Sequence, residues 1–379
     1  MKKVNKSASA KQKQQRNKAR GKIRGVVGMD LSDKSSTIWR LGRQGERVEQ
    51  RRIATSQAAL TNYFGGQPRL RVVIETGVQV YWVARLLEQL GHEVIAANAR
   101  KLQLITKSVS KNDRNDSRLL AELGWTNPKL LSPVRLRSQT SQQHRTLLRA
   151  REAAVESRTM LINAVRGLAK SHGHRFAKTS SAAFARRATK DCPGELQPAL
   201  SPLLQMIEMA TAQIKLYDRQ IEKLCEQYEA TQRLMSIRGV GRQTALAYVL
   251  ALDNDPQWLR RSRDAGAFVG LRPAQQESGD SSPELSITKH GDRLLRKLLV
   301  QCAQYILGHW GEESQLRSWG LRLAQGGKRA KRRAVVAVAR KLAVILHVLW
   351  KRDEDYLAFP RGNPPGQPGC ALAAGAASR

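Results

Sequence analysis

Short apolar runs separated by polar turns fill the first third of the chain, and this pattern is typical of β-strands. The first and fourth runs are apolar without alternation, as in buried strands, and they end in Asp30 and Glu75. The two runs between them predict a β-meander with the first. The predicted strands cover residues 23–30, 36–41, 47–54, 71–75 and 93–97.

Two helical patterns interrupt these strands. Ser56 is a suitable N-cap for a short helix, and an amphipathic helix over residues 80–90 stops at Gly91. Strands followed by helices indicate a mixed α/β sheet, in which ligands bind beyond the strand ends. Asp30 and Glu75 are predicted at those ends, so the sequence directs attention to that edge of the sheet.

A pair of aspartates opens the next helical pattern. Asp113 and Asp116 are three residues apart, and Leu119, Leu120 and Leu123 follow as one apolar face. Helical spacing places both carboxylates on one side, where like charges repel unless something compensates them. A divalent cation would do so through hard oxygen ligands. The alternative is a solvated helix start, where acids favour the positive end of the helix dipole.

Two long stretches in the middle of the chain, residues 138–170 and 196–234, carry apolar residues near helical spacing. A basic connection with Gly173 and Pro193 as breakers separates them. The pattern predicts an antiparallel helical pair or a coiled-coil dimerisation arm. Its arginines could hold nucleic acid or simply face solvent.

The last third of the chain begins with a glycine turn. Gly239 and Gly241 precede a helical pattern, and such a turn presents backbone N–H groups to an anion. The segment is similar to the hairpin of a helix-hairpin-helix, which grips DNA phosphates without reading sequence, although a structural turn fits equally. Further on, Arg340 and Lys341 interrupt the apolar residues 334–350, which predicts a packing helix rather than a membrane span.

The charge balance adds a class of partner. The chain has 66 Lys and Arg against 31 Asp and Glu, a formal net charge of +35. This surplus favours a polyanion, above all nucleic acid, and does not specify an activity. The 4 cysteines form no CxxC pair, so no zinc site or disulfide framework is implied and a reducing cytoplasm fits. Segments 1–22 and 358–379 predict disordered tails.

Two sets of motifs carry a resemblance to a known family. The first set resembles the DEDD signature of the IS110 family of insertion-sequence transposases. It consists of Gly28-Met29-Asp30, Ile74-Glu75-Thr76 and Lys111-Asn112-Asp113-Arg114-Asn115-Asp116.

The second set lies near the end of the chain. Ser278 and Gly279, followed by the long motif over residues 286–296, look like the C-terminal transposase domain of the same family. In that domain a Ser-Gly dipeptide supplies a catalytic serine, so the resemblance implies this role for Ser278. Ser281 and Ser282 are neighbouring alternatives. The resemblance covers nearly the whole chain.

The resemblance also implies an architecture. It leads us to expect an α/β plus α fold, with an N-terminal RuvC-like mixed sheet of the RNase H type, a long helical or coiled-coil middle and a mainly helical C-terminal transposase domain. The expected divisions are a basic tail, the RuvC-like domain, the coiled-coil region, the transposase domain and a second tail, at residues 1–22, 23–135, 136–232, 233–357 and 358–379.

The implied site and partners complete the expectation. Asp30, Glu75, Asp113 and Asp116 would bind Mg²⁺ or Mn²⁺, and Ser278 would form a phosphodiester with DNA. The partners would be donor and target DNA, a structured bridge RNA, and further copies forming a homodimer and then a homotetramer, in the cytoplasm of a prokaryotic cell close to the nucleoid. The candidate nucleic-acid-binding residues are Lys111, Gly239, Gly241, Lys289, Arg293 and Arg296.

Three classes of function compete at this point. The first is an RNA-guided transposase with a serine–DNA intermediate. The second is a RuvC-like endonuclease that cuts branched DNA with metal-activated water. The third is a non-catalytic nucleic-acid-binding protein. The Ser-Gly motif favours the first over the second, and the complete set of four acids argues against the third.

Overall fold

The computed structural model describes residues 22–98, 113–276, 283 and 285–359, except the side chains of Asp113 and Arg114. The chain divides into two compact units, Met1–Arg137 and Ser138–Arg379, each with its own core. The predicted α/β plus α class is confirmed, because a mixed sheet with helices makes up the first unit and helices dominate the second.

The first unit is built on a five-stranded mixed sheet of order β3-β2-β1-β4-β5. β1, β2 and β3 are antiparallel neighbours, whereas β4 and β5 run parallel to β1. All five strands fall where the hydrophobic pattern predicts them. Their bounds are β1 Val26–Leu31, β2 Ser35–Leu41, β3 Arg47–Ala54, β4 Arg71–Glu75 and β5 Glu93–Ala97.

Helices cover both faces of this sheet. α1 and α2 pack on one face, where Val27, Met29 and Ile74 enter the larger core of the unit. Ser56 caps α1 by accepting a hydrogen bond from the Ala59 amide, as predicted. α3 lies on the other face. The bounds are α1 Gln57–Phe64, α2 Val80–Gln89 and α3 Asp113–Thr126.

A buried histidine fixes the end of α1 to the start of β4. His92 is only 1% exposed, and its Nδ1 accepts a hydrogen bond from the Leu70 amide at 3.1 Å. Nε2 therefore carries the proton and donates to the Phe64 carbonyl at 3.0 Å. Both ring nitrogens are used by the neutral ring, and burial lowers the pKa of His92.

This histidine predicts a pH-dependent stability. The folded-state pKa lies below the unfolded value of about 6.5, so the unfolded chain binds the proton first and stability falls as the pH drops below that value. Urea unfolding at a series of pH values would show a smaller acid loss in His92→Gln than in the parent protein. His172→Gln, at an exposed position, serves as control and keeps the parental pH dependence. An unchanged pH profile in His92→Gln would contradict this assignment.

The second unit opens with two long helices that pack against each other. These helices are α4 (Gln139–Ser171) and α6 (Gln197–Glu226). They are antiparallel, because Arg151 bonds Asp218 at 2.6 Å while Arg158, further along α4, reaches Thr211 at 3.4 Å. The helical pair expected from the sequence therefore forms within one chain. The predicted second stretch, 196–234, is divided in two at Tyr228, whose backbone is extended and whose hydroxyl contacts His144 at 2.6 Å.

The helices from residue 229 onwards enclose the largest core, with α12 (Lys328–Arg352) at its centre. Leu342 and Leu346 on α12 are fully buried, which confirms the packing helix predicted over residues 334–350. No helix in the described part of the chain is long and apolar enough to cross a membrane. The bounds are α4 Gln139–Ser171, α5 Phe184–Asp191, α6 Gln197–Glu226, α7 Glu229–Leu234, α8 Arg242–Ala251, α9 Ala265–Phe268, α10 Arg293–Leu307, α11 Gln315–Leu323 and α12 Lys328–Arg352.

Candidate active site and nucleic-acid interface

Asp30 and Glu75 occupy matching positions on adjacent parallel strands. Met29 of β1 pairs with Ile74 of β4, and each acid is the next residue of its strand. Residues in register on parallel strands point to the same face, and the strands are about 4.8 Å apart. The two carboxylates thus share one face at the carboxyl-terminal edge of the sheet, and both side chains are partly exposed.

Two glycines let α3 lie directly on that face. A Cβ added to Gly28 in β1 would stand 2.0 Å from the Ser117 carbonyl oxygen and 2.4 Å from the Ala121 amide nitrogen. A Cβ added to Gly124 in α3 would stand 2.4 Å from a methyl group of Val73. Neither position tolerates a side chain without movement, so the helix axis is held unusually close to β1 and β4.

These contacts also give the direction of the helix. The late residue Gly124 lies over Val26 at the start of β1, and the earlier Ser117 lies over Gly28, two residues further along that strand, so α3 runs antiparallel to β1 and β4. Arg71 at the start of β4 reinforces this, since its Nη1 donates to the Gly124 carbonyl at 3.1 Å and its Nε contacts Glu93 at 3.0 Å. The beginning of α3 therefore lies at the edge that carries Asp30.

The four predicted acids consequently fall at one edge of the first unit. Asp113 is the first residue of α3, and Asp116 is partly exposed one turn before the buried Leu120. Carboxylate oxygens are the ligands that Mg²⁺ and Mn²⁺ prefer. Among the side chains that the structure describes, no three acids, histidines or cysteines are close enough to hold a metal, and the Asp113 side chain lies outside that set. The donor chemistry fits a divalent cation.

The segment with the second motif has a well-defined base. Two backbone stretches, residues 270–274 and 286–290, form a short antiparallel ladder in which Thr288 donates to Arg272 and Ala274 donates to Ser286, both at 2.9 Å. Ser278, Gly279, Ser281 and Ser282 belong to the connection between these stretches and lie outside the described residues, as does Lys111.

An ion pair joins this base to the long helices. Asp292 follows the ladder and caps α10 by accepting a hydrogen bond from the Leu295 amide at 2.9 Å. Arg145 of α4 forms a salt bridge with the same carboxylate, and both side chains are largely buried. Breaking a buried pair leaves an uncompensated charge, so this contact strongly constrains where the ladder stands relative to α4.

The predicted cations of this segment have different surroundings. Lys289 is exposed, with a left-handed backbone at φ +53°, and Arg293 is exposed on the first turn of α10. Arg296 is partly buried, and its Nη1 donates to the carbonyls of Val269 and His290 at 3.0 and 3.4 Å. The structure thus gives Arg296 a role in holding backbone, whereas Lys289 and Arg293 face solvent.

The glycine turn predicted before α8 is present. Gly239 has φ +97°, and Gly241 occupies the N-cap position of α8, where no side chain caps the helix. A cavity of about 490 Å³ lies beside the turn, but Asp218 and Glu222 contribute to its wall. The exposed side of the turn is therefore better suited to a phosphate than the cavity.

Buried thiols line the inner side of the same turn. Burial raises the pKa of the Cys302 thiol, although its hydrogen bonds with Thr244 and the Gly241 amide act in the opposite direction. Burial also raises the pKa of the Cys225 thiol, to about 11. Both thiols are protonated at neutral pH and act as core residues.

Sequence reasoning missed the residues that bring these elements together. Gly28 lies in the motif Gly28-Met29-Asp30 without a predicted role of its own, and Gly124 lies outside all the motifs. A glycine inside a buried strand and another inside an apolar helix are the signals that indicate close backbone approach. Arg145 and Asp292 gave no usable signal, because residues so far apart in sequence reveal a pairing only in the fold.

Comparison with known proteins agrees with these motifs. Residues 231–318 match the transposase IS116/IS110/IS902 family, and residues 27–173 match a transposase family of the DEDD IS110 type. The transposase for insertion sequence element IS1111A of Coxiella burnetii is 30% identical over 342 residues, covering 87% of this chain and 91% of that protein.

Two further relatives extend the comparison. The transposase for insertion sequence element IS1328 of Yersinia enterocolitica is 30% identical, covering 74% of this chain and 83% of that protein. A probable family 20 transposase of Pseudomonas aeruginosa is 29% identical, covering 87% of this chain and 98% of that protein. The resemblance inferred from the motifs is confirmed, and the chain belongs to the IS116/IS110/IS902 family of insertion-sequence transposases.

Proposed function

We propose that this transposase cuts and rejoins donor and target DNA. Its catalytic groups would be Ser278 and the acidic edge of the first unit, which consists of Asp30, Glu75, Asp113 and Asp116. The observation that supports it most is the in-register pair Asp30 and Glu75 beneath the start of α3. The fold places these two carboxylates at a strand edge, which is where ligands bind in open α/β sheets.

The acids have a definite task in this proposal. Asp30, Glu75, Asp113 and Asp116 would hold one or two Mg²⁺ or Mn²⁺ ions, which when bound supply polarisation of the scissile phosphate. The acids also orient that phosphate and keep the cations at the edge of the sheet.

Ser278 would be the nucleophile. Its Oγ forms a bond to phosphorus, the bond from phosphorus to a deoxyribose oxygen breaks, and the serine proton passes to solvent while the leaving oxygen is protonated. A free serine hydroxyl is weak and needs activation, which the polarised phosphate and the acidic edge would provide. The phosphoserine link conserves the bond for rejoining by a DNA hydroxyl, so the exchange requires no ATP.

Guidance and assembly belong to the same proposal. A structured RNA would select the sites by base pairing, while the protein contacts backbone and shape. The net charge of +35 supports phosphate binding but does not by itself provide sequence reading. Recombination needs several active sites, so the chain would act as a dimer that pairs into a tetramer. Exposed Met160, Met206 and Met209 on α4 and α6 offer an apolar surface for this.

The proposed divisions follow the sequence expectation. The RuvC-like part would cover 23–135, the helical arm 136–232 and the transposase part 233–357, between the two tails 1–22 and 358–379. Phosphate contacts would come from the turn at Gly239 and Gly241 and from several cations. Those cations are Lys111, Lys289 and Arg293, whereas Arg296 holds the backbone beside them.

A covalent-adduct assay tests this function. The parent protein, Mg²⁺, donor and target DNA and the cognate RNA should give a protein–DNA adduct that survives a denaturing gel, because the phosphoserine bond is covalent. Ser278→Ala should bind both nucleic acids and form no adduct. The same mixture without RNA should give no site-specific product, and light scattering should show an assembly larger than one chain.

Two matched variants make the result decisive. Ser281→Ala and Ser282→Ala remove nearby hydroxyls and should keep the adduct. An adduct that persists in Ser278→Ala and disappears in one of these controls would transfer the role to that neighbour. DNA cut by the parent protein without any adduct would instead support a RuvC-like endonuclease that uses water.

A further inference from the structure

An exposed aromatic group lies beside the glycine turn of the second unit. Trp310, in the connection between α10 and α11, is 74% exposed, and Tyr305 at the end of α10 is 36% exposed. His309 meets the Trp310 ring edge to face, with ring centroids 4.9 Å apart. Tryptophan is highly buried on average, so exposure of this size makes Trp310 a candidate for recognition.

The connection that carries Trp310 is fixed rather than loose. Arg317 of α11 donates from Nη1 to the carbonyls of Ile306 and Gly308, which satisfies the last turn of α10. A Cβ added to Gly311 would stand 2.0 Å from the Ile306 carbonyl oxygen, so the chain is packed tightly against the helix end. Ser314 then caps α11. The rings of Tyr305, His309 and Trp310 thus form an aromatic platform that is ordered before any ligand binds. Such a platform loses little entropy on binding.

The platform is continuous with the glycine turn. A Cβ added to Gly239 would stand 2.6 Å from the Tyr305 ring. Arg238, the preceding residue, is hydrogen-bonded to Tyr305 and contacts Glu312 through Nε at 3.3 Å. The exposed guanidinium of Arg238 and the rings of the platform therefore belong to one surface.

The charges on this surface indicate what it binds. Glu312 and Glu313 follow the platform, and Arg238 and Arg317 respectively pair with them. This patch lacks the strong positive surplus that would hold a duplex by its phosphates alone. Aromatic rings instead bind nucleotides whose bases are unstacked, because every base has a face that can stack. In a duplex those faces are already covered by neighbouring bases.

We propose that Arg238, Tyr305 and Trp310, together with the turn at Gly239, form a binding site for single-stranded nucleic acid. Trp310 stacks on one unpaired base, with His309 supporting the indole, while Arg238 exchanges its contact with Glu312 for a neighbouring phosphate. The proposal rests on the proposed function only in requiring that the chain handles nucleic acid. A protein partner, including a second copy of this chain, is the alternative use of an exposed tryptophan.

The test is a binding measurement with the full chain and a chelator present, so that no cleavage occurs. The probes are a fluorescent single strand of about 12 nucleotides and the corresponding duplex. Trp310→Ala should weaken single-strand binding by roughly tenfold and leave duplex binding nearly unchanged, because only an unpaired base can stack on the indole. Trp310→Phe should keep most of the affinity.

The salt dependence of binding distinguishes a stacking contact with a base from a charge contact with a phosphate. Trp310→Ala should keep the slope of log affinity against log salt, since no phosphate contact is lost. Arg238→Ala should reduce the slope by about 0.7 for a single strand. On a strand whose bases are replaced by abasic sites, the parent protein and Trp310→Ala should bind equally. Leu357→Ala, which removes another exposed apolar side chain of this unit, should behave like the parent protein.

Each other outcome overturns the proposal. If Trp310→Ala lost equal affinity for the single strand and for the duplex, Trp310 would serve folding or general DNA binding. Thermal unfolding of the variants would then identify a folding defect. Unchanged single-strand affinity in Trp310→Ala would show that the aromatic platform does not bind nucleic acid. A fall in the mass measured by light scattering would assign the surface to a second copy. Failure of DNA cleavage in the covalent-adduct assay leaves all of these results unaffected.

Discussion

Replacing Asp30 by asparagine should abolish DNA strand cleavage while leaving nucleic-acid binding nearly intact. Asp30 and Glu75 occupy matching register positions on one face, so loss of either carboxylate removes a central ligand of the proposed Mg²⁺ site. Charge stabilisation by a bound metal is worth several kcal/mol, which corresponds to a rate loss of about a thousandfold or more. The amide is nearly isosteric, so packing against α3 should not change.

The measurement is cleavage of labelled donor DNA under single-turnover conditions, with binding followed separately by gel shift. Glu122→Gln is the matched control, since it neutralises a half-exposed acid on α3 that pairs with Arg118 at 3.2 Å. This control should cut at the parental rate. Cleavage at the parental rate by Asp30→Asn, in Mg²⁺ or Mn²⁺, would remove the acidic edge from the mechanism.

The sheet was predictable because its strands have unambiguous local signals. Residues 71–75 are apolar without alternation and end in a single acid, and the meander strands are separated by short polar turns. Such a pattern also indicates that Asp30 and Glu75 lie at strand ends. The register that aligns them depends on pairing between distant parts of the chain, which no local pattern encodes.

The orientation of α3 on the sheet could not be predicted from the sequence, for a related reason. Its apolar face was apparent from Leu119, Leu120 and Leu123, but a helix can cross a sheet in either direction. Gly28 and Gly124 permit the close approach, and the contacts across them show the direction in which the helix runs. This is a steric condition between elements, so it becomes visible only when both are in place.

In the second unit, the positions of helices and turns could be predicted from the sequence better than the contacts between side chains. The turn at Gly239 and the helical pair were predicted, whereas the break at Tyr228 was not, because a tertiary contact with His144 accompanies it. Arg296 was expected on phosphate by helical spacing from Arg293. Its guanidinium instead donates to protein carbonyls, which shows that spacing assigns a face of a helix but not the partner found there.

Replacing Gly28 by alanine should nearly eliminate cleavage without altering any charge. The new Cβ would stand 2.0 Å from one backbone atom of α3 and 2.4 Å from another, and neither can rotate away as a side chain could. Ordinary contacts need about 3.5 Å, so the helix would have to retreat by more than 1 Å. A misplacement of about 1 Å can cost a hundredfold in rate, because Asp116 moves away from Asp30 and Glu75.

The same change should lower the free energy of unfolding by about 1–3 kcal/mol, as overpacking of a tight core does. Cleavage measured well below the unfolding temperature separates misplacement from loss of fold. Gly66→Ala is the control, because a Cβ there meets nothing within 4 Å, and it should be neutral in both assays. Gly124→Ala meets a side chain, Val73, rather than backbone. Its defect should therefore be smaller and should be relieved by Val73→Ala, whereas parental cleavage by Gly28→Ala would show that the spacing of α3 from the sheet does not control the site.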